Sequence, residues 1–110
     1  MIEEITATDA ATEIENGAVL IDVRNDDEWQ AGHAPNARYI TLSELSQRCG
    51  EVPSDQRVIV ICRAGGRSLK AAEFLATQGI TAANLTGGMQ AWAQAGLAVV
   101  DDDGAPGTVI

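Results

Sequence analysis

Val58-Ile59-Val60-Ile61-Cys62-Arg63-Ala64-Gly65-Gly66-Arg67-Ser68 decides how this chain is read. Four β-branched residues in succession predict a strand covered on both faces. They deliver a cysteine to a short glycine-bearing loop. From Arg67 to Gln78 the spacing turns helical, with Leu69, Ala72, Leu75 and Ala76 on one face and Lys70, Glu73 and Thr77 on another. A strand–loop–helix junction of this kind aims backbone N–H groups and the positive end of a helix at the sulfur. A cysteine held there is expected to be largely thiolate, the reactive form.

Outward from this stretch, strand and helix patterns alternate. Residues 2–5 predict a short edge strand. A helix with Thr8 as N-cap runs to about Glu15, and Gly17 sits beyond its end. Residues 18–23 form an apolar run broken only by Asp22. Asn25-Asp26-Asp27-Glu28 has the form of a capping box for a short helix ending at Gly32, and Arg38 begins a weak strand that reaches Ile40. Thr41-Leu42-Ser43-Glu44 is a second such box, for a helix ending at Gly50. Residues 82–85 make another short strand, Gly87-Gly88 the start of a last helix, and Gly96 its end. Residues 1–100 are read as one domain, with residues 101–110 as a loose acidic tail containing Gly and Pro. The alternation predicts an α/β fold with a parallel sheet and helices on both faces. In such sheets ligands bind beyond the carboxyl ends of the strands, near a topological switch, and Cys62 falls at such an end.

The whole chain bounds its partners. With 110 residues, 45% hydrophobic and 21% charged, it fits one soluble globular domain. Glu3 and Glu4 stand where a signal peptide would carry positive charge, so a cytoplasmic location is expected. A net charge of −9 argues against nucleic acid, and no membrane partner is expected. Two of the 7 Lys and Arg residues nevertheless lie in the Cys62 loop, where an anionic substrate would use them. Cys49 and Cys62 form neither a disulfide framework nor a metal knuckle, and His33 alone cannot complete a zinc site. No metal and no cofactor is implied.

Thiolate attack on a sulfur atom with a good leaving group needs no general base once the loop has lowered the cysteine pKa. The product is a persulfide on Cys62. Its outer anionic sulfur would be received by the amides of Ala64, Gly65, Gly66, Arg67 and Ser68, and the two glycines permit positive φ and close approach. Arg63 and Arg67 would bind a small anionic donor such as thiosulfate and neutralise departing sulfite. Asp22, polar within an apolar strand, must find a backbone or Arg24 partner, and both are placed behind the site as its support. Arg24 and Glu28 are expected to pair, His33 to be structural, Cys49 to be a bystander, and Trp29 and Trp92 to pack.

The chain resembles single-domain members of the rhodanese (sulfurtransferase) family. The matching segments are Leu20-Ile21-Asp22-Val23-Arg24, then Glu28-Trp29-Gln30-Ala31-Gly32-His33-Ala34-Pro35-Asn36-Ala37, the loop from Cys62 to Ser68, and Leu85-Thr86-Gly87-Gly88-Met89-Gln90-Ala91-Trp92. The resemblance implies a three-layer rhodanese-like fold around a mostly parallel sheet of about five strands. It also implies a Cys62 persulfide and transfer of sulfane sulfur from thiosulfate or a related donor to cyanide or a thiol, a protein thiol included. An alternative within the resemblance is a non-turnover persulfide carrier or sensing module that works with a protein partner. Related phosphatases and arsenate reductases carry one residue more between cysteine and arginine, so the short loop falls on the sulfur side. Asn36 stands where the family often has glycine, and Thr41 where it often has proline.

Overall fold

The computed structural model describes residues 1–110. In chain order it forms β1 (Glu4–Ile5), α1 (Ala7–Glu15), β2 (Val19–Asp22), α2 (Asp26–Ala31), β3 (Arg38–Tyr39), α3 (Leu45–Arg48), β4 (Val58–Ile61), α4 (Gly66–Thr77), β5 (Ala82–Leu85) and α5 (Gly88–Gln94). Single 3-10 turns at Leu42–Glu44 and Cys49–Glu51 flank α3. The five strands pair in the order β1-β5-β4-β2-β3, all parallel. No helix is long and apolar enough to cross a membrane.

The central strand β4 shows why a continuous apolar run was required. All four of its residues are 0% exposed. Val58 and Val60 point into one layer with Ile21, Ala72 and Leu75, while Ile59 and Ile61 point into the other with Ala10, Leu85, Met89 and Trp92. The period-two alternation of a strand therefore feeds two cores, one under α3 and α4 and one under α1 and α5. The chain leaves β1 for β2, continues outward to β3, and returns to β4 on the other side of β2. The resulting switch point lies between β2 and β4, where Asp22 is level with Ile61. Cys62 follows directly.

Several local expectations are corrected. Helix α1 is capped by Thr6, whose Oγ1 accepts from Asp9 N at 3.2 Å, and Thr8 lies inside it. The helix starts early because Ala7 is already buried against the sheet. At residues 41–44 the Thr41 hydroxyl donates to the Glu44 carboxylate (2.9 Å) and caps no backbone N–H. The segment winds as 3-10 and one α turn, running past Gly50 to Glu51, with Leu42 N held by Val23 O at 3.2 Å. In α4 the buried face is Ser68, Ala71, Ala72 and Leu75, leaving Ala76 exposed. Hydrogen bonds of Ser68 to Cys62 and Asn84 pin the first turn and set that rotation. Asn36, at the position where glycine is common, has φ +64°, a left-handed conformation that asparagine tolerates better than most residues.

Residues 101–110 are docked, not loose. His33 N donates to Val100 O (2.8 Å) and Val100 N to His33 O (2.9 Å). Thr108 N then donates to Ala31 O and Gly107 N to Val99 O, each at 2.9 Å. Acidic and glycine-rich composition missed this because the attachment is made mostly by backbone groups, and Gly32 permits it by having no side chain. A Cβ there would lie 2.6 Å from the Thr108 backbone. Gly32→Ala is expected to lift residues 106–110 and to cost about 1–3 kcal/mol, read as a lower Tm together with new protease cleavage in 101–108.

Candidate active site

Cys62 is carried to the carboxyl edge of the sheet by β4 and left there 1% exposed. The chain then curls so that the Gly65 N–H lies 3.1 Å from Cys62 Sγ, and Gly65 itself takes φ +112°, a conformation glycine adopts without strain, to lead into the helix. Helix α4 begins at the next residue, so its unpaired first-turn amides face the sulfur. Ser68, fully buried, brings its hydroxyl to 3.2 Å from Sγ. Burial pushes the Cys62 thiol up, but the Ser68 hydroxyl and the amides of Ser68, Gly65 and Ala64 more than offset it. The net displacement is downward. Of the expected loop residues, Ala64, Gly65 and Ser68 meet at the sulfur, as amide donors and as one hydroxyl.

The two loop arginines are engaged elsewhere. Arg67 forms a two-pronged ion pair with Glu28, at 2.7 and 2.8 Å, which ties α2 to the start of α4. This bond lowers the Glu28 carboxyl and raises the Arg67 guanidinium. Glu28 also accepts from Asn25 N at 3.1 Å, completing the capping box of α2. Arg63 Nε donates to Ile110 O at 2.7 Å, and its Nη1 lies 2.9 Å from the Gln90 amide oxygen once that amide faces its donors.

The expected Arg24–Glu28 pair is not formed. Arg24 folds back on Asp22, both 0% exposed, through Nε at 3.0 Å and Nη2 at 2.8 Å, and Nη2 also reaches Gly32 O at 2.8 Å. Asp22 is two residues away on the same strand end, while Glu28 is claimed by Arg67, so proximity and competition decide the partner. Arg24 Nη1 is buried without a hydrogen-bond partner.

Two contributors were missed. Gly88 lets α5 sit on the loop backbone: a Cβ would meet the Cys62 carbonyl oxygen and, at 2.6 Å, the Arg63 carbonyl. Met89 N and Gln90 N then donate to Cys62 O (2.8 Å) and Arg63 O (3.1 Å), so the glycine pair does more than start a helix. Asn84, 3% exposed on β5, bonds Ser68 and Gly65 O, and its amide is held by Glu4 from the edge strand. An asparagine inside Ala82-Ala83-Asn84-Leu85 carried the same signal as Asp22 within β2. His33 is bonded through Nδ1 to Trp29 O (2.9 Å) and stacked on the Trp29 ring at 3.6 Å, which makes it structural. Cys49 is half-buried, with its thiol on Ser46 O.

A family model for the rhodanese-like domain matches residues 6–95. The chain belongs to the rhodanese-like family. A sulfurtransferase of Allochromatium vinosum is 37% identical over 87 residues, 78% of this chain and 81% of that protein. Among solved structures, a rhodanese-related protein from Thermoplasma volcanium superposes with a TM-score of 0.84 at 34% identity, covering 89% of this chain and 97% of that one. A rhodanese-like domain protein from Staphylococcus aureus gives 0.78 at 30% identity, over 83% and 91%. The rhodanese-like fold expected from the sequence is the fold observed.

Asp22→Ala would leave Arg24 buried without its carboxylate. It is expected to lower unfolding free energy by about 3–5 kcal/mol in urea titration. The downward displacement of the Cys62 thiol has its own readout. Its iodoacetamide alkylation should follow a pH profile whose midpoint lies below that of a free thiol, the rate falling as pH drops through it.

Proposed function

We propose that this rhodanese-like protein is a sulfurtransferase that carries sulfane sulfur on Cys62. The observation that supports this best is the set of donors on one sulfur atom: the amide of Gly65 and the hydroxyl of Ser68 at 3.1 and 3.2 Å, with no base in contact. Such a site holds a thiolate without needing to deprotonate it during reaction. The Sγ lone pair attacks the outer sulfur of a donor, and the donor's S–S bond breaks with its electron pair on the leaving group. For thiosulfate that group is sulfite. The persulfide's outer sulfur then carries the charge, within reach of the loop amides and the α4 terminus. A thiol, or cyanide, takes this sulfur by the reverse displacement. Sulfurtransferase relatives at 37% identity support the same chemistry. A cytoplasmic location suits it, since a free thiol nucleophile needs a reducing compartment.

A second reading, a persulfide carrier that exchanges sulfur only with protein partners, is favoured by one observation. Arg67 is held by Glu28 and Arg63 by Ile110 O, so neither loop arginine is free to grip a small dianion. Intact-protein mass spectrometry after thiosulfate treatment separates the readings. One added sulfur atom, removable by cyanide, absent in Cys62→Ser and retained in Cys49→Ser, is the expected result. Repeated turnover with cyanide or a small thiol supports the enzyme. Loading without turnover supports the carrier, and no adduct from any sulfane donor overturns both.

A further inference from the structure

The Ser68 hydroxyl has one hydrogen and three acceptors in reach: Cys62 Sγ at 3.2 Å, Gly65 O at 3.3 Å, and Asn84 Oδ1 at the shortest distance. The Asn84 amide is not free to turn round. Its Nδ2 donates to Glu4 Oε2 at 3.0 Å and to Gly65 O at 3.1 Å, and both groups can only accept. Glu4 is itself braced by the Thr86 hydroxyl at 2.7 Å. Oδ1 must therefore face Ser68, and since Oδ1 only accepts, the contact exists only when Ser68 donates to it. A thiolate also only accepts. Two acceptors thus compete for one proton in a buried place, where an unmet acceptor is costly.

We propose that Asn84 is a positioning residue for the sulfur chemistry, holding the Ser68 hydroxyl proton while Cys62 is loaded and releasing it to Sγ when the thiolate is regenerated. The assignment rests on the persulfide reading above. In the resting thiolate Ser68 donates to Sγ. On attack, the Sγ lone pair becomes the new S–S bond, the donor's bond breaks with its electrons on the leaving group, and the negative charge comes to rest on the outer sulfur. Sγ is then a neutral bridging atom and a poor acceptor. The Ser68 hydroxyl rotates to Asn84 Oδ1, and the loop amides follow the charge outward. On discharge the bonding pair returns to Sγ and the hydroxyl turns back. No proton is exchanged with solvent in either direction.

The test is the pH profile of Cys62 alkylation in a two-residue cycle. Asn84→Leu keeps the volume and removes the competing acceptor, so the midpoint should fall by about half to one pH unit. Ser68→Ala should raise it, and in that background Asn84→Leu should change nothing. Glu4 is exposed on the edge strand, so Glu4→Gln provides a variant that should fold normally even if Asn84→Leu does not. It weakens the brace on the Asn84 amide, which Gly65 O still orients, and should give a smaller fall that shrinks when Ser68 is alanine. A midpoint unchanged or raised in folded Asn84→Leu, or a fall that persists without Ser68, overturns the proposal. If Asn84→Leu does not fold, Glu4→Gln decides in the same way. Alkylation needs no sulfur donor, so the two claims fail separately. A persulfide with an unmoved profile sinks only the Asn84 role, whereas wild type that never loads sinks the persulfide reading and the loading role with it.

Discussion

A negative charge on the sulfur of a cysteine that is 1% exposed has to be met chiefly by donors from the protein, because burial strips away most of its solvation. Much of this structure serves that requirement. The donors are mostly backbone amides, and amides point inward only if the chain curls tightly around the atom. The turn ending at Gly65, with its φ of +112°, makes that curl, and the first turn of α4 continues it. A curled loop of this kind needs holding from outside. Helix α5 holds it from one side through Met89 N and Gln90 N on the loop carbonyls, an approach that only a side-chain-free Gly88 permits. Helix α2 holds it from another through the Glu28–Arg67 pair.

The charged groups around the sulfur follow from the same requirement. Arg24 and Arg67 each take a carboxylate in a two-pronged bond, so their positive charge is fixed in place. Arg67 is raised in part by the charges of Cys62 and Asp22, which means the thiolate and the guanidinium interact although another residue occupies the guanidinium nitrogens. A cation held this way supports the thiolate through space, without competing with the amides for its lone pairs.

What was legible in the sequence is what is local. The strand, the cysteine and the glycine-bearing loop are contiguous, so period and turn chemistry were enough to place the nucleophile. Asp22 was legible because a carboxylate within an apolar strand has to be explained. Its partner was read correctly, while Glu28 was assigned to Arg24 because the choice between two nearby arginines is made by tertiary distance. The docking of residues 101–110 rests mainly on backbone bonds and the bare Cα of Gly32, and its few side-chain contacts, Trp29 to Asp102 and Arg63 to Ile110 O, join residues far apart in sequence. Thr8 lost the cap to Thr6 for a similar reason: the burial of Ala7, a long-range fact, decides where the helix starts.

Asp22 and Asn84 occupy related places, and the relation has a physical basis. β2 and β5 are the two neighbours of β4, and each carries one buried polar residue near its carboxyl end, Asp22 level with Ile61 and Asn84 level with Val60. Farther back in either strand the ladder has already used the backbone groups, and a buried side-chain amide or carboxylate would be left unmet. At the carboxyl end the strands stop pairing and turn into loops, and free backbone groups come into reach: the Arg24 amide for Asp22 and the Gly65 carbonyl for Asn84. Polar residues can be buried there at little cost, and there they stand on both sides of the sulfur. Asp22 fixes a charge and Asn84 orients a hydroxyl. Apolar residues of similar volume would fill either position, but they would leave Arg24 without a counter-charge and the Ser68 hydroxyl without the acceptor that competes with Sγ.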